Sequence, residues 1–110
     1  GKLNPSSSGM LLELGRLQKS QGKLNEAEAS FQTVVELHEK SGGHENFQML
    51  SAMRELAGVQ SRLEKIGDAE ESYERVIELY ERNPELYQGG KAIALGNLGA
   101  IYRRTELRCN

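Results

Sequence analysis

The residues of this chain that could bind a metal or attack a substrate are few and poorly spaced for either task. His38 and His44 are the only histidines, and Cys109 is the only cysteine. Two histidines six positions apart, with no cysteine cluster nearby, lack the further ligands that complete a zinc site. Cys109 has no histidine placed to activate its thiolate. We therefore predict that both histidines lie on the surface, that Cys109 is incidental, and that the chain has no metal, cofactor or catalytic residue.

Composition narrows the class of partner. The chain has 14 basic and 16 acidic residues, a formal net charge of −2, whereas nucleic-acid and anionic-membrane binders normally carry a basic excess. No apolar run approaches the roughly 20 residues that span a bilayer. A single cysteine excludes an intramolecular disulfide and fits a reducing compartment. We expect a cytoplasmic protein with no nucleic-acid or membrane partner.

An internal repeat determines which elements position the polar residues. Leu11–Lys40 aligns without a gap with Met53–Arg82, 42 positions further on, and eleven of the 30 aligned residues are identical. A third copy begins at Leu95, 84 positions after Leu11. A repeat of this length indicates stacked supersecondary units, which build extended surfaces more readily than catalytic pockets.

Each copy of the repeat reads as two helices, because apolar residues recur at three and four positions and no segment alternates like a strand. The first helix is predicted to start at Met10, with Met10, Leu11, Leu14, Leu17 and Gln18 on one face that packs against its neighbours. The second is predicted to start at Asn25, which would cap it, with Glu28 completing a capping box.

The second copy repeats this pair of helices, and Met49 and Met53 are predicted to fill its core. Asn83-Pro84 reads as an N-cap and first helical residue, and a fifth helix carries Ile93, Leu95, Leu98, Ile101 and Tyr102. We predict a flexible tail over residues 1–9, a helical domain over residues 10–105 and a second tail over residues 106–110. Within the domain the repeats cover about 10–45, about 46–87 and, as a half repeat, about 88–105.

Small and aromatic residues recur in a fixed order along the copies. The first copy has Leu11, Leu14-Gly15, Gln18, Gly22, Leu24, Ala27 and Phe31; the second has Met53, Leu56-Ala57, Gln60, Ile66, Ala69 and Tyr73; the third has Leu95, Leu98-Gly99 and Tyr102. This order resembles the tetratricopeptide repeat, although Gln18 and Gln60 replace the usual aromatic residue and Glu64 replaces the turn glycine. The resemblance implies an all-α solenoid: two helix hairpins plus a fifth helix in a right-handed superhelical stack.

The length of the repeat points to one subclass. The common repeat has about 34 residues, so about two helical turns are added here. The long repeat resembles those of kinesin light chains and of Leu-Gly-Asn-rich polarity adaptors. The Asp-His-Pro signature of the former is replaced by Glu45-Asn46-Phe47, so the resemblance is to the subclass rather than to either protein.

In this family the first helix of each repeat lines a concave groove in which peptides or helices lie. The resemblance assigns to the groove Leu12, Glu13, Arg16, Lys19 and Ser20, then Arg54, Glu55, Gly58, Ser61 and Arg62, then Gly96, Asn97, Ala100, Arg103 and Arg104. Basic residues outnumber acids in this set, whereas the second helices are rich in glutamate. We take as candidate ligand contacts Arg16, Lys19, Arg54, Arg62, Asn97, Arg103 and Arg104. These charges either bind an acidic peptide or form ordinary solvated helix faces.

The resemblance implies a protein–protein interaction module, a scaffold or adaptor, whose arginines would pair with carboxylates of an acidic partner. Binding of chaperone tails is not expected, because Leu12 and Arg16 occupy the positions where the carboxylate clamp needs lysine and asparagine. The alternative is self-association through the fifth helix, whose Ile93 and Ile101 have no following helix to cover them. No residue pattern supports an enzyme.

Overall fold

The computed structural model describes residues 8–40, 47–83 and 95–102. The helices are α1 (Ser8–Ser20), α2 (Leu24–Lys40), α3 (Phe47–Arg62) and α4 (Ile66–Arg82), and residues 95–102 lie in a fifth helix, α5. α1 packs on α2, α3 packs on α4, and α2 packs on α3, so two hairpins are stacked. The predicted all-α fold, two hairpins plus a fifth helix, is confirmed, and the described ranges contain no strand.

The two hairpin turns have the same hydrogen bonds, 42 residues apart. After α1, the amide of Lys23 donates to the carbonyl of Gln18 at 2.8 Å; after α3, Lys65 donates to Gln60 at 2.9 Å. Each turn ends its helix with a residue of positive φ, Gly22 at 80° and Glu64 at 63°, as a Schellman motif requires. The turn is therefore part of the repeat even where glutamate replaces glycine.

The predicted helix starts differ from those observed. α1 begins at Ser8 rather than Met10, and α2 begins at Leu24, so Asn25 lies inside the helix and is not its cap. Glu28 does not complete a capping box, because its carboxylate instead accepts a hydrogen bond from Lys65 at 2.7 Å. α4 likewise starts without a side-chain cap, so packing rather than capping positions these helix starts.

The core lies between α2, α3 and α4 and is made of aliphatic, small and aromatic side chains. Phe31, Val34, Val35, Val59 and Val76 are fully buried, and Met49 and Met53 are buried as predicted. In the first hairpin, α1 approaches α2 so closely that a Cβ on Gly15 would lie 2.6 Å from Cε1 of Phe31. The helix contact therefore requires a residue without a side chain at this position.

The predicted buried face of α1 is largely wrong. Met10, Leu14 and Leu17 are 79%, 44% and 55% exposed, whereas Leu12, assigned to the groove, is buried at 6%. The reason is positional, since α1 has α2 on one side only, whereas α3 lies between two helices. The inward face of α1 is the one that carries Leu12 and Gly15.

At the other end of the stack, Asn83 caps the C-terminus of α4, with its side-chain amide donating to the carbonyl of Leu79 at 3.0 Å. In α5, Leu98 and Ile101 are buried, so the prediction that Ile101 is exposed is wrong. Ile93, Pro84, His44 and Cys109 lie outside the described residues, as do the predicted tails except for Ser8 and Gly9, which are helical.

Candidate functional site: a cleft on the concave face

A cleft of about 250 Å³ opens where the first helices of the repeats lie side by side. Its lining comes from four helices: Arg16 of α1, Tyr73 of α4, Asn97 of α5, and four residues of α3, namely Ser51, Arg54, Glu55 and Gly58. Five of these seven residues belong to the set that sequence analysis assigned to the groove. The structure thus brings Arg16, Arg54 and Asn97 together from three different copies of the repeat.

The cleft owes its depth to Gly58. Gly58 occupies the place of Arg16 in the second copy, 42 positions on. A Cβ added to it would meet only the hydroxyl of Tyr73, at 3.9 Å, so a larger side chain fits without a clash. The cleft is therefore the space that the arginine of the first copy would fill.

On one wall of the cleft, Glu55 joins α3 to α1. Its carboxylate accepts hydrogen bonds from Nε of Arg16 at 3.0 Å and from Nζ of Lys19 at 2.5 Å. Arg16 also donates to Glu13 at 2.9 Å. Burial disfavours the charged form of Glu55, but the hydrogen bonds and positive charges of Lys19 and Arg16 outweigh burial and lower its pKa. The two cations of α1 are thus largely neutralised within the protein.

The cations of α3, unlike those of α1, have no carboxylate partner among the described residues. Arg54 and Arg62 are exposed, and neither forms an ion pair or hydrogen bond with another residue of the described chain. Arg54 lines the cleft, whereas Arg62 lies at the end of α3 outside its lining. Arg54 is therefore the uncompensated charge inside the cleft.

Neutral polar groups form the rest of the cleft. Tyr73 is buried at 6% and is hydrogen-bonded to Asn97; burial raises its pKa and the bond to Asn97 opposes the rise. Ser51 is buried at 5%. An arginine beside an amide, a hydroxyl and a phenol can bind a carboxylate and hydrogen-bond a peptide backbone.

The predicted site residues therefore fall into three groups. Arg54 and Asn97 line the cleft without a carboxylate partner among the described residues, Arg16, which also lines the cleft, and Lys19 are held by Glu55, and Arg62 is exposed further along α3. Arg103 and Arg104 lie outside the described residues, and the assignment of Leu12 to the groove is wrong. Sequence reasoning missed Ser51 and Tyr73, because one reads as a small polar residue of a helix and the other as a core aromatic.

His38 is buried at 4%, so the prediction that it lies on the surface is wrong. Its Nε2 lies 3.2 Å from Oγ of Ser8, and that hydroxyl donates to Oε1 of Gln48 at 2.6 Å. Because the hydroxyl donates to Gln48, its oxygen is the acceptor for the ring nitrogen of His38 in this arrangement. Ser8 is fully buried, so a substrate cannot reach its hydroxyl. The hydrogen bonds of Ser8, His38 and Gln48 instead connect the start of α1, the end of α2 and the start of α3.

The described part of the chain contains no cluster of three His, Cys, Asp or Glu side chains that could hold a metal ion. None of its helices combines the length and apolar character needed to cross a membrane.

Comparison with known proteins agrees with the stacked helix hairpins. The family described as "Tetratricopeptide repeat" matches residues 7–82. The chain belongs to this family. Proteins of the family typically act as non-enzymatic scaffolds that bind other proteins. No curated protein matches the chain.

Among solved structures, the chain is similar to BtubC (BKLC) from P. vanneervenii, with a TM-score of 0.84 and 22% sequence identity. The similarity covers 94% of this chain and 41% of BtubC, so the chain spans less than half the length of that protein. At 22% identity, this similarity shows a shared fold and nothing about function.

Proposed function

We propose that this tetratricopeptide-repeat chain is a protein-binding scaffold or adaptor module that holds an acidic peptide or helix segment of its partner in the concave cleft. The observation that carries the proposal is the contrast between the cations of the cleft. Arg16 and Lys19 are engaged by Glu55, whereas Arg54 is exposed and uncompensated among the described residues, and it shares the cleft lining with Asn97 and Ser51.

A carboxylate on the ligand suits this arrangement. A guanidinium binds a carboxylate through two parallel hydrogen bonds, and the charge strengthens both. Asn97 beside it can donate to and accept from the peptide backbone, while Gly58 leaves room for the chain to approach α3. We therefore propose that a carboxylate of the ligand pairs with Arg54, and that Arg62 extends the positive field along α3.

Selection from a random peptide library tests this proposal, because the cleft can then choose among ligands of every charge. We expect the bound peptides to be enriched in Asp and Glu, and Arg54→Glu with Arg62→Glu to reverse the enrichment. Because both side chains are exposed, reversal should leave thermal stability within about 0.5 kcal/mol. Fluorescence anisotropy with a selected peptide should show weakening of tenfold or more, about the effect of losing one charge-assisted hydrogen bond.

A matched control distinguishes an effect of the cleft residues on binding from an effect of the net charge of the protein. Lys40→Glu combined with Lys23→Glu changes the formal charge by the same amount, and both lysines are exposed and lie outside the cleft lining. Filling the cleft with Gly58→Gln should block binding, whereas Gly67→Gln, also in a helix but with nothing within 4 Å, should not. Selection of uncharged or basic peptides that ignore all these changes would contradict the proposal.

A further inference from the structure

A second surface, on the far side of α1 from α2, carries an apolar stripe. Met10, Leu14 and Leu17 follow one another at four and three positions, so they share one side of the helix. They are 79%, 44% and 55% exposed. We call these three residues the outer face of α1; none of them lines the concave cleft.

The repeat reveals what this face is built to contact. One period later, α3 carries Ala52, Leu56 and Val59 at the same positions, and these are 0%, 4% and 0% exposed. The two helices differ in their neighbours: α3 has α2 packed against it in addition to its own hairpin partner, and α1 has no such helix among the described residues. The outer face of α1 therefore corresponds to the face of α3 that α2 covers.

Polar groups beside this face repeat as well. At the junction of α2 and α3, Glu28 of α2 accepts hydrogen bonds from Nε2 of Gln60 at 3.4 Å and from Nζ of Lys65 at 2.7 Å. The residues one period earlier are identical, Gln18 and Lys23. Within the described chain, Lys23 and the amide nitrogen of Gln18 bond no carboxylate.

The side chain of Gln18 is already held in the orientation that such a carboxylate needs. Its Oε1 accepts a hydrogen bond from Ser30 at 2.7 Å, as Oε1 of Gln60 does from Ser72 at 2.7 Å. Because the oxygen is held by the helix of its own hairpin, the amide nitrogen points to the neighbouring position in both copies: in Gln60 it donates to Glu28, and in Gln18 it bonds no carboxylate of the described chain. The amide donor of Gln18 is therefore already oriented for a carboxylate.

The same junction occurs once more at the other end of the stack. Tyr102 stands one period after Gln60, and its hydroxyl donates to Glu74 of α4 at 3.4 Å and is also hydrogen-bonded to Glu70. Each junction between hairpins thus places a carboxylate of the earlier helix against this position of the later one. Two such junctions are complete, and the outer face of α1 carries half of a third.

We propose that the outer face of α1 binds an amphipathic helix of a partner polypeptide, seated as α2 is on α3. Apolar side chains of that helix cover Met10, Leu14 and Leu17, and a glutamate at the position of Glu28 bonds Gln18 and Lys23. A second copy of this chain is a poorer occupant, because its own glutamate-bearing helices, α2 and α4, are already packed against α3 and α5. The surface is separate from the cleft, so the two can bind different segments.

The probe is a synthetic peptide with the sequence of residues 24–40, the α2 helix, added to the full chain and followed by methyl NMR. We expect shifts at the Met10, Leu14 and Leu17 methyls that saturate with peptide. A peptide with Glu28→Gln should bind roughly three- to tenfold more weakly, as expected for a partly exposed charged hydrogen bond. Lys23→Gln in the protein should give the same loss, and the two changes together should not add.

Two protein variants complete the test. Leu14→Gln with Leu17→Gln should abolish the peptide-induced shift of the Met10 methyl while the protein stays folded with only a small fall in melting temperature, because both side chains are already half exposed. Arg54→Glu, in the cleft, should leave them intact. The proposal is overturned if millimolar peptide causes no shifts, if the shifts centre on Arg54 and Asn97, or if Glu28→Gln has no effect. It is equally overturned if simple dilution of the protein shifts the same methyls, because a second copy then covers the face.

Discussion

At the scale of single residues, the position of Gly15 determines how the first hairpin closes. A Cβ there would lie between 2.6 and 2.9 Å from three atoms of the Phe31 ring. The ring is fully buried, so it cannot turn away into solvent. The second copy has Ala57 and Tyr73 at these positions, and both are buried, so the second hairpin accommodates a methyl group where the first does not.

We therefore predict that Gly15→Ala destabilises the fold by about 1–3 kcal/mol, the usual effect of overpacking. Its control is Gly67→Ala in α4, where an added Cβ meets nothing within 4 Å and alanine should stabilise the helix by about 0.5–1 kcal/mol. Urea unfolding followed by circular dichroism measures both. A Gly15→Ala variant that is more stable than the original protein would contradict the close approach of α1 to Phe31.

At the scale of elements, charged side chains fasten one helix to another across the stack. Glu55 of α3 holds Arg16 and Lys19 of α1, and Glu39 of α2 holds Arg75 of α4 at 3.1 Å. The two clamps differ in burial, since the carboxylate side chain is 21% exposed in Glu55 and 47% exposed in Glu39. Exposed ion pairs contribute little to stability, so we expect the Glu55 clamp to be the stronger of the two.

The lowered pKa of Glu55 gives this clamp a defined pH dependence. A carboxyl group whose pKa is lower in the folded state stabilises the fold above its unfolded pKa, here near 4.5, and loses that contribution as pH falls through the folded pKa. Glu55→Gln should therefore lower the melting temperature at pH 7 and flatten its acid dependence below about pH 4.5. Glu39→Gln is the control, and an equal change from both would show that burial of the clamp does not matter.

At the scale of the whole molecule, a helix is buried according to its place in the stack. Leu14 and Leu56 are the same residue in the same register, yet one is 44% and the other 4% exposed. The sequence identifies both as members of one apolar stripe, and the repeat predicts the hairpins and their turns correctly. It could not predict which stripe would be covered, because coverage depends on the neighbouring hairpin rather than on the helix itself.

The same limit explains the other differences between expectation and structure. Leu12 reads as a groove residue by its register but is buried in α1, and His38 reads as a surface residue but lies where three helices meet. The hydrogen bonds of Gln18 with Ser30 and of Gln60 with Ser72 could have been predicted from the sequence, because each glutamine recurs together with its serine one period apart. Pairs of polar residues that repeat together indicate a contact between them. Burial at the ends of a stack cannot be predicted in this way, because it depends on which neighbouring helix is present.

Leu14 and Leu56, which occupy the same position in the two copies, also test how a place in the stack affects stability. Leu56→Ala should lower the free energy of unfolding by about 2–5 kcal/mol, as for other buried leucines, whereas Leu14→Ala should lower it by less than about 1 kcal/mol. Differential scanning calorimetry of both variants at one protein concentration measures the difference. Equal losses would mean that α1 is covered on both sides in solution.

The glycine at position 58 has a consequence for how a ligand finds its place. A surface built from identical units offers the same contacts again after every repeat, so an extended chain could slide by one unit and bind almost as well. Here the units are not identical: the arginine of the first corresponds to glycine in the second, and the cleft opens beside that glycine. A ligand that fills this opening can do so in a single alignment, so the difference between the units fixes which of its residues faces each helix.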